Sequence, residues 1–205
     1  MRAVRSIPRS ARLGGVAALW LAICAVPADS APWNWRRDAM PDDVGRVMAL
    51  PAAWVRALAE VRAQGNASTL SELGALVDPG ASLERAEPPP GPYHCRVVRL
   101  GSHNDSAHPL VADPWFMCRV DYTPRGDLTF LRISGTTHTA GHLYPETDDR
   151  LIYLGAEDEA ATPVYGRRPE RDQVGVMERI GPRRWRLAMP FPRRDPILEL
   201  VDIVR

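Results

Sequence analysis

The second half of the chain is divided into short apolar or alternating runs, and this pattern constrains the fold most. Beyond Pro92, Gly, Pro and Asp interrupt the runs at regular intervals, which is typical of antiparallel strands joined by hairpins. About eight strands are predicted, with the sequences YHCRVVRL, WFMCRVDY, LTFLRIS, TAGHLY, RLIYLG, QVGVMERI, RWRLAM and ILELVDIV. Because closure removes exposed edges, we expect an antiparallel, roughly eight-stranded β-barrel-like domain, with a β-sandwich as the alternative.

The segment before these strands has helical periodicity. Apolar residues recur at helical spacing over residues 42–76. Pro51 is expected to start a second helix after a short first one, because proline is tolerated in the first turn of a helix. Gly65 ends that helix, and a third begins near Thr69, whose spacing to Glu72 is that of a capping box. The stretch DPGASLERAEPPPGP then predicts a linker. The predicted fold class is therefore α+β.

The N-terminal residues have the layout of a secretory signal peptide. Arginines precede the apolar run LGGVAALWLAICAV, and small residues follow it in PADSAP. The run of about 14 residues is shorter than the roughly 20 that span a bilayer, and no later stretch is long enough either. We therefore predict an exported protein, periplasmic or secreted, that is cut between Ser30 and Ala31. A lipoprotein anchored at Cys24 is a minor alternative, since the preceding Ile23 is not small.

The predicted organisation has three parts and no membrane span after cleavage. These are a signal peptide (1–30), a helical segment with its Pro-rich linker (31–92), and an antiparallel β-domain (93–205). Cleavage removes four of 26 basic residues and one of 25 acidic ones, which leaves 22 against 24. A near-neutral protein lacks the basic surface that nucleic-acid binding requires. The chain also contains no lysine, which excludes Schiff-base catalysis and P-loop phosphate binding.

The two cysteines beyond the leader, Cys95 and Cys118, are expected to form a disulfide. An exported protein meets an oxidising compartment, where paired cysteines are normally bridged. Strand alternation places Cys95 on one face with Tyr93 and Cys118 on one face with Phe116. The pattern therefore agrees with a bridge on the core side. A reactive or metal-binding thiol pair is the minority interpretation.

The stretch RISGTTHTAGHLYPE contains the candidate catalytic and metal-binding residues. His138 and His142 lie about 13 Å apart on a straight strand, too far to share a zinc ion at about 2.1 Å from each. No metal or cofactor is therefore predicted. Ser134, His138 and Asp121 have the residue types of a nucleophilic site, but the chain has no GxSxG motif. They are candidates for catalysis by residue type alone. Whether the protein is an enzyme stays open, and the sequence favours a protein that is not one.

Two further groups carry polar side chains. The segment SHNDSAHPLVADP, with His103, Asp105 and His108, predicts a solvated loop, and a surface metal site is the alternative. The paired carboxylates of glycosidases are Asp or Glu, and three residues, Glu178, Glu199 and Asp202, qualify by residue type alone.

A third group predicts a binding surface. His138, His142 and Tyr144 are candidates for a polar binding edge on one strand. Trp185 lies among arginines in GPRRWRLAMPFPRR, a composition typical of recognition surfaces. Alternatively, Trp185 alternates with Leu187 as one buried strand face.

The order and spacing of several segments resemble a known family. GPYHCRVVRLG, WFMCRVDY, RISGTTHTAGHLYPE, RLIYLG and RDQVGVMERIGPRRWRLAMPFP together resemble the exported proteobacterial proteins grouped as domain of unknown function 4893. The resemblance extends from about Trp35 onward. It implies a signal peptide, a paired cysteine and an α+β domain. It implies no catalytic residues, because the family has no assigned activity.

The predicted role is non-catalytic. We expect a module that binds a small or amphipathic ligand in the barrel, or a protein partner in the cell envelope, since small barrels can hold one ligand. The alternative is a periplasmic hydrolase with a Ser/His/Asp-type site.

Overall fold

The computed structural model describes residues 34–103, 108–159 and 162–205, so the predicted leader and Cys24 lie outside it. Its β-domain contains nine strands. They are β1 (Gly91–Leu100), β2 (Leu110–Ala112), β3 (Phe116–Tyr122), β4 (Leu128–Arg132), β5 (His138–Thr147), β6 (Arg150–Asp158), β7 (Asp172–Gly181), β8 (Arg184–Pro190) and β9 (Leu198–Val204).

The strands form a closed antiparallel barrel. Strands β3 to β9 pair in chain order, β3 pairs with β1, and β1 returns to pair with β9, which closes the sheet. The short β2 pairs with the last residues of β1, beyond the end of β3. The predicted eight-stranded barrel is therefore confirmed, with one additional strand. The additional strand lies in the stretch interpreted as a loop, since three residues are too few to show an alternating pattern.

From residue 34 onward, four short α-helices precede the barrel. They are α1 (Trp35–Asp38), α2 (Pro41–Met48), α3 (Leu50–Ala63) and α4 (Ala67–Leu73), followed by a 3-10 helix at Gly74–Val77. The predicted helix start at Pro51 is confirmed to within one residue, because α3 begins at Leu50 and has Pro51 in its first turn. The predicted capping box is wrong, because α4 has Asn66 at its N-cap and Thr69 inside it. Gly74 has a φ of 56°, which ends the α-helix and turns the following residues into the 3-10 helix.

The helices pack on the outside of the barrel. Ala53, Ala57 and Val61 of α3 are fully buried, and they belong to one hydrophobic cluster with outward-facing side chains of several strands. The strand residues of this cluster include Val98, Leu100, Val174, Val176, Ala188 and Leu200. Strand β8 is therefore buried on both faces. This explains why its buried residues follow one another almost without interruption and do not alternate with exposed ones.

One end of the barrel interior is filled by side chains. The Cys95–Cys118 disulfide joins β1 to β3 there, with its Cα atoms 6.0 Å apart. The edge of the Tyr93 ring meets Trp185 at a centroid distance of 5.7 Å. The predicted linker covers this end, because the Ala86 amide donates to the Asp148 carbonyl (3.0 Å) and Ala86 joins the interior cluster. We call this region the closed end.

Within the described residues, no helix has the length and hydrophobicity needed to cross a membrane.

Candidate functional site

The opposite end of the barrel is open and contains a cavity of about 270 Å³, which we call the mouth cavity. Its floor is apolar and includes Val97, Phe130, Leu187, Met189 and Val201. These floor residues also pack against the filled interior, because all five are buried and belong to the interior cluster. The cavity is therefore the unfilled part of the barrel interior.

Strand alternation places charged side chains above this floor. Arg99 of β1 is the interior residue after Val97, and Glu199 of β9 is the interior residue before Val201. Glu157 of β6 occupies the same level on the other side of the barrel. Because the strands are antiparallel, the end of β1 lies beside the beginning of β9. Polar side chains from distant parts of the sequence therefore meet at one rim.

Glycines make room for a tyrosine below the rim. A Cβ atom on Gly155 would lie 2.1 Å from the Tyr153 hydroxyl oxygen, and one on Gly141 would lie 2.4 Å from Cε2 of the same ring. The Tyr153 ring therefore lies across both glycines. Its hydroxyl points from Tyr153 towards the mouth, because Gly155 is the next interior residue in that direction. The ring edge also packs against Phe130, with centroids 6.1 Å apart.

Arg99 holds two carboxylates at the rim. Its terminal nitrogens bind both oxygens of Asp113 at 2.8 and 2.9 Å. Its Nε lies 3.3 Å from Oε2 of Glu199, whose side chain is only 13% exposed. Burial raises the pKa of Glu199 to about 7; Arg99 opposes this rise, and the charges of Glu157 and Asp113 add to it. Glu199 is consequently part-protonated at neutral pH.

Glu157 and Gln173 form a second polar pair across the cavity from Arg99. Nε2 of Gln173 donates to Oε2 of Glu157 at 3.2 Å. A carboxylate only accepts hydrogen bonds, so the amide nitrogen must face it, and Oε1 of Gln173 faces elsewhere. That buried Oε1 has no hydrogen-bond partner within the described ranges, and neither has the buried Tyr153 hydroxyl. Both atoms are shielded from solvent, so the acceptors that a ligand in the cavity can reach are the partly exposed carboxylates of Glu157 and Glu199.

The candidate catalytic residues lie apart from this cavity. Asp121 is on the outer face of β3, where the Arg119 guanidinium at 2.9 Å lowers its pKa. The Ser134 hydroxyl accepts a hydrogen bond from the Met117 amide at 2.8 Å. His138 is exposed at the start of β5. In the part of the chain that the structure describes, no hydrogen bond joins any two of Asp121, Ser134 and His138.

The candidate binding residues lie in two places. His138, His142 and Tyr144 are on the outer face of β5, and the last two line a groove of about 390 Å³ with Leu131 and Val164. We call it the outer groove. The fourth candidate, Trp185, is 4% exposed inside the closed end.

Two polar groups in the described part of the segment SHNDSAHPLVADP are held in other contacts. The His103 amide donates to a carboxylate oxygen of Asp195, and Asp113 is bound by Arg99. Asp105 lies outside the described residues. In residues 34–103, 108–159 and 162–205, no three His, Cys, Asp or Glu side chains are placed to hold a metal ion.

The sequence analysis missed most of the mouth cavity. Arg99, Glu157 and Gln173 were not singled out, and Glu199 was considered only by residue type. The available signal was a charged residue on the core-facing side of an alternating strand, as Arg99 is after Val97. The two carboxylates considered with Glu199 have other partners: Asp202 binds Arg96 and Arg184 outside the barrel, and Glu178 binds Arg186.

The fold and the cavity define a class: an α+β protein with helices on the outside of a closed β-barrel and one polar opening. The chain belongs to the family described as domain of unknown function (DUF4893), whose sequence profile matches residues 35–203. No curated protein and no solved structure was found to match the chain.

Proposed function

We propose that this chain is an exported, non-catalytic binding protein that holds a small amphipathic ligand in the mouth cavity. The observation that carries the proposal is a cavity inside the barrel with an apolar floor and a charged rim. Ligand sites in proteins are typically concave, mostly apolar, and oriented by a few polar groups. The exposed lining of this cavity is mostly polar, with the apolar floor side chains beneath it, so the cavity suits a small ligand that carries a polar group better than a wholly apolar one.

The size of the cavity limits the ligand. Its volume of about 270 Å³ equals the space of about nine water molecules at about 30 Å³ each. This is close to the lower end of the roughly 300–1,000 Å³ that small-molecule pockets occupy. A ligand with one ring or a short chain fits, whereas a lipid with long acyl chains does not.

Binding is favoured over hydrolysis by the contacts of the candidate residues. A nucleophilic site requires the nucleophile, the base and the orienting group to be in contact. Ser134 and Asp121 are instead bonded to other groups. Export is supported by the Cys95–Cys118 disulfide, which persists in oxidising compartments.

Two matched tryptophan substitutions test this proposal. Thr139 lines the mouth cavity, whereas its neighbour Ala140 lines the outer groove. Thr139→Trp should fill the cavity, and Ala140→Trp should fill the groove, on the same strand. Native mass spectrometry of protein purified gently from the periplasm should show a retained small molecule in the wild type and Ala140→Trp, but not in Thr139→Trp.

The reverse result, with the ligand lost only from Ala140→Trp, would place binding in the outer groove and contradict the proposal. A wild-type protein that retains no small molecule would also count against it. Circular dichroism and thiol labelling check that both variants fold and form the disulfide.

A further inference from the structure

We infer that the ligand of the mouth cavity is a small amine, whose ammonium group binds the carboxylates of Glu199 and Glu157. The inference rests on the proposed function and specifies the chemical class of the ligand. It follows from the charges, the hydrogen bonds and the acceptors at the rim.

The charged groups of the cavity leave an excess of negative charge. Its acidic residues are Asp113, Glu157, Glu159 and Glu199, and its basic residues are Arg99, Arg132 and Arg194. One carboxylate is therefore unmatched when all seven groups are ionised. Glu159 is exposed, so solvent screens part of this excess, but its sign still favours a ligand that brings a cation over one that brings an anion.

The three arginines are poorly placed to bind an anionic ligand. The terminal nitrogens of Arg99 are taken by Asp113. Nε of Arg132 donates to the Ser134 carbonyl at 2.9 Å, and its guanidinium lies 4.0 Å from the centre of the Phe116 ring. The side chain of Arg194 is 63% exposed and lies 3.4 Å from Glu157. An incoming anion would have to break these contacts.

The carboxylates of the rim, in contrast, have few and mostly long contacts with donors among the described residues. The cationic partner of Glu199 is Nε of Arg99 at 3.3 Å, beyond the usual length of a charge-assisted hydrogen bond. Glu157 receives one donor from Gln173 and the long contact from Arg194. An ammonium group has three donors and no acceptor, which complements such a set.

Amine binding should depend on pH through Glu199. Its neighbours in the cavity are Arg99 on β1, Asp113 beyond β2, Glu157 on β6 and Arg194 before β9. Because burial raises the pKa of Glu199 to about 7, this carboxyl must lose its proton to bind an ammonium group fully. Affinity for an amine should therefore increase from about pH 6 to about pH 8.

Three probes with one ring and different polar groups test the inference: benzylamine, benzyl alcohol and benzoate. In calorimetric titrations at about pH 8, benzylamine should bind at least about tenfold more tightly than the other two. Glu199→Gln should weaken benzylamine binding by about tenfold or more, because a charged acceptor is lost. The matched control Glu72→Gln, on the exposed face of α4, should leave it unchanged.

Three outcomes would overturn the inference. If benzyl alcohol or benzoate binds as tightly as benzylamine or more tightly, and Thr139→Trp abolishes this binding, the ligand is not an amine but the cavity is still the binding site. Benzylamine binding that persists in Thr139→Trp would place it elsewhere. Failure of all three probes to bind would reject the amine class, while a small molecule retained by the wild type would still support the proposed function.

Discussion

Arg99 and Glu199 face each other across the seam at which the barrel closes. They are register partners on β1 and β9, and Nε of Arg99 lies 3.3 Å from Oε2 of Glu199 inside the barrel. Strand pairing at the seam therefore brings a guanidinium and a carboxylate together at the edge of the apolar interior. Burial is the largest influence on Glu199 there and outweighs its ion pair.

The Glu199 carboxyl should make the stability of the protein depend on pH. Its pKa rises from 4.5 to about 7 on folding, so the folded state binds more protons between these values. The free energy of unfolding should therefore fall as pH rises from about 4.5 to about 7, by up to about 3 kcal/mol. Glu199→Gln should remove this part of the dependence. Urea unfolding at several pH values measures the free energy of unfolding. The same pH dependence of this free energy in the wild type and in Glu199→Gln would contradict the prediction.

The strands and the disulfide could be predicted because their signals are local. Alternation in YHCRVVRL and WFMCRVDY assigns Cys95 and Cys118 to core-facing positions, and Gly, Pro and Asp mark the turns. The exception, the capping box at Thr69, failed because Asn66 starts α4 one turn earlier. Local capping patterns recur by chance, so this one misplaced the N-cap of the helix by three residues.

The mouth cavity could not be predicted in the same way. Arg99, Glu157 and Glu199 come together only because β1 closes on β9 and the interior is filled from the opposite end. Neither the closure of the barrel nor the filling of its interior can be recognised from the sequence of any single segment. The histidines of β5 attracted attention by residue type, yet alternation alone puts His138 and His142 on one face with Tyr144, and that face is outside the barrel.

Removal of the disulfide should destabilise the protein substantially. Cys95 and Cys118 are separated by 23 residues, for which the chain-entropy model gives about 3 kcal/mol. We expect the variant with both cysteines replaced by alanine to lose about this much free energy of unfolding in urea. Thiol labelling of denatured, unreduced wild-type protein should be negative. Labelling without a reductant would show that the bridge is absent from the purified protein.

Arg186 should be essential for holding the helices on the barrel. Its side chain is fully buried, binds Glu178 at 2.5 Å, and donates to the Ala75, Leu76 and Asp78 carbonyls at 3.3, 3.1 and 2.7 Å. Arg186→Met should cost about 3–5 kcal/mol, because it leaves a buried carboxylate and several carbonyls without their donor. Urea unfolding measures the loss.

Two variants control the Arg186 experiment. Arg183→Met in the exposed turn before β8 should change the free energy of unfolding by no more than about 0.5 kcal/mol. Glu178→Met combined with Arg186→Met should recover part of the loss, because it removes the unpaired carboxylate. Equal effects of Arg183→Met and Arg186→Met would show that the contacts under the helices contribute little.

Gly155 should tolerate no side chain, whereas Gly45 should accept one. A Cβ on Gly155 would lie 2.1 Å from the Tyr153 hydroxyl and 2.7 Å from the Ala140 carbonyl oxygen, which cannot move independently of β5. Gly155→Ala should therefore lose about 1–3 kcal/mol of unfolding free energy. A Cβ on Gly45, inside α2, would meet nothing within 4 Å, so Gly45→Ala should gain about 0.5–1 kcal/mol from helix propensity. Urea unfolding of the two variants should give opposite signs. A neutral Gly155→Ala would mean that the Tyr153 ring does not lie across Gly155.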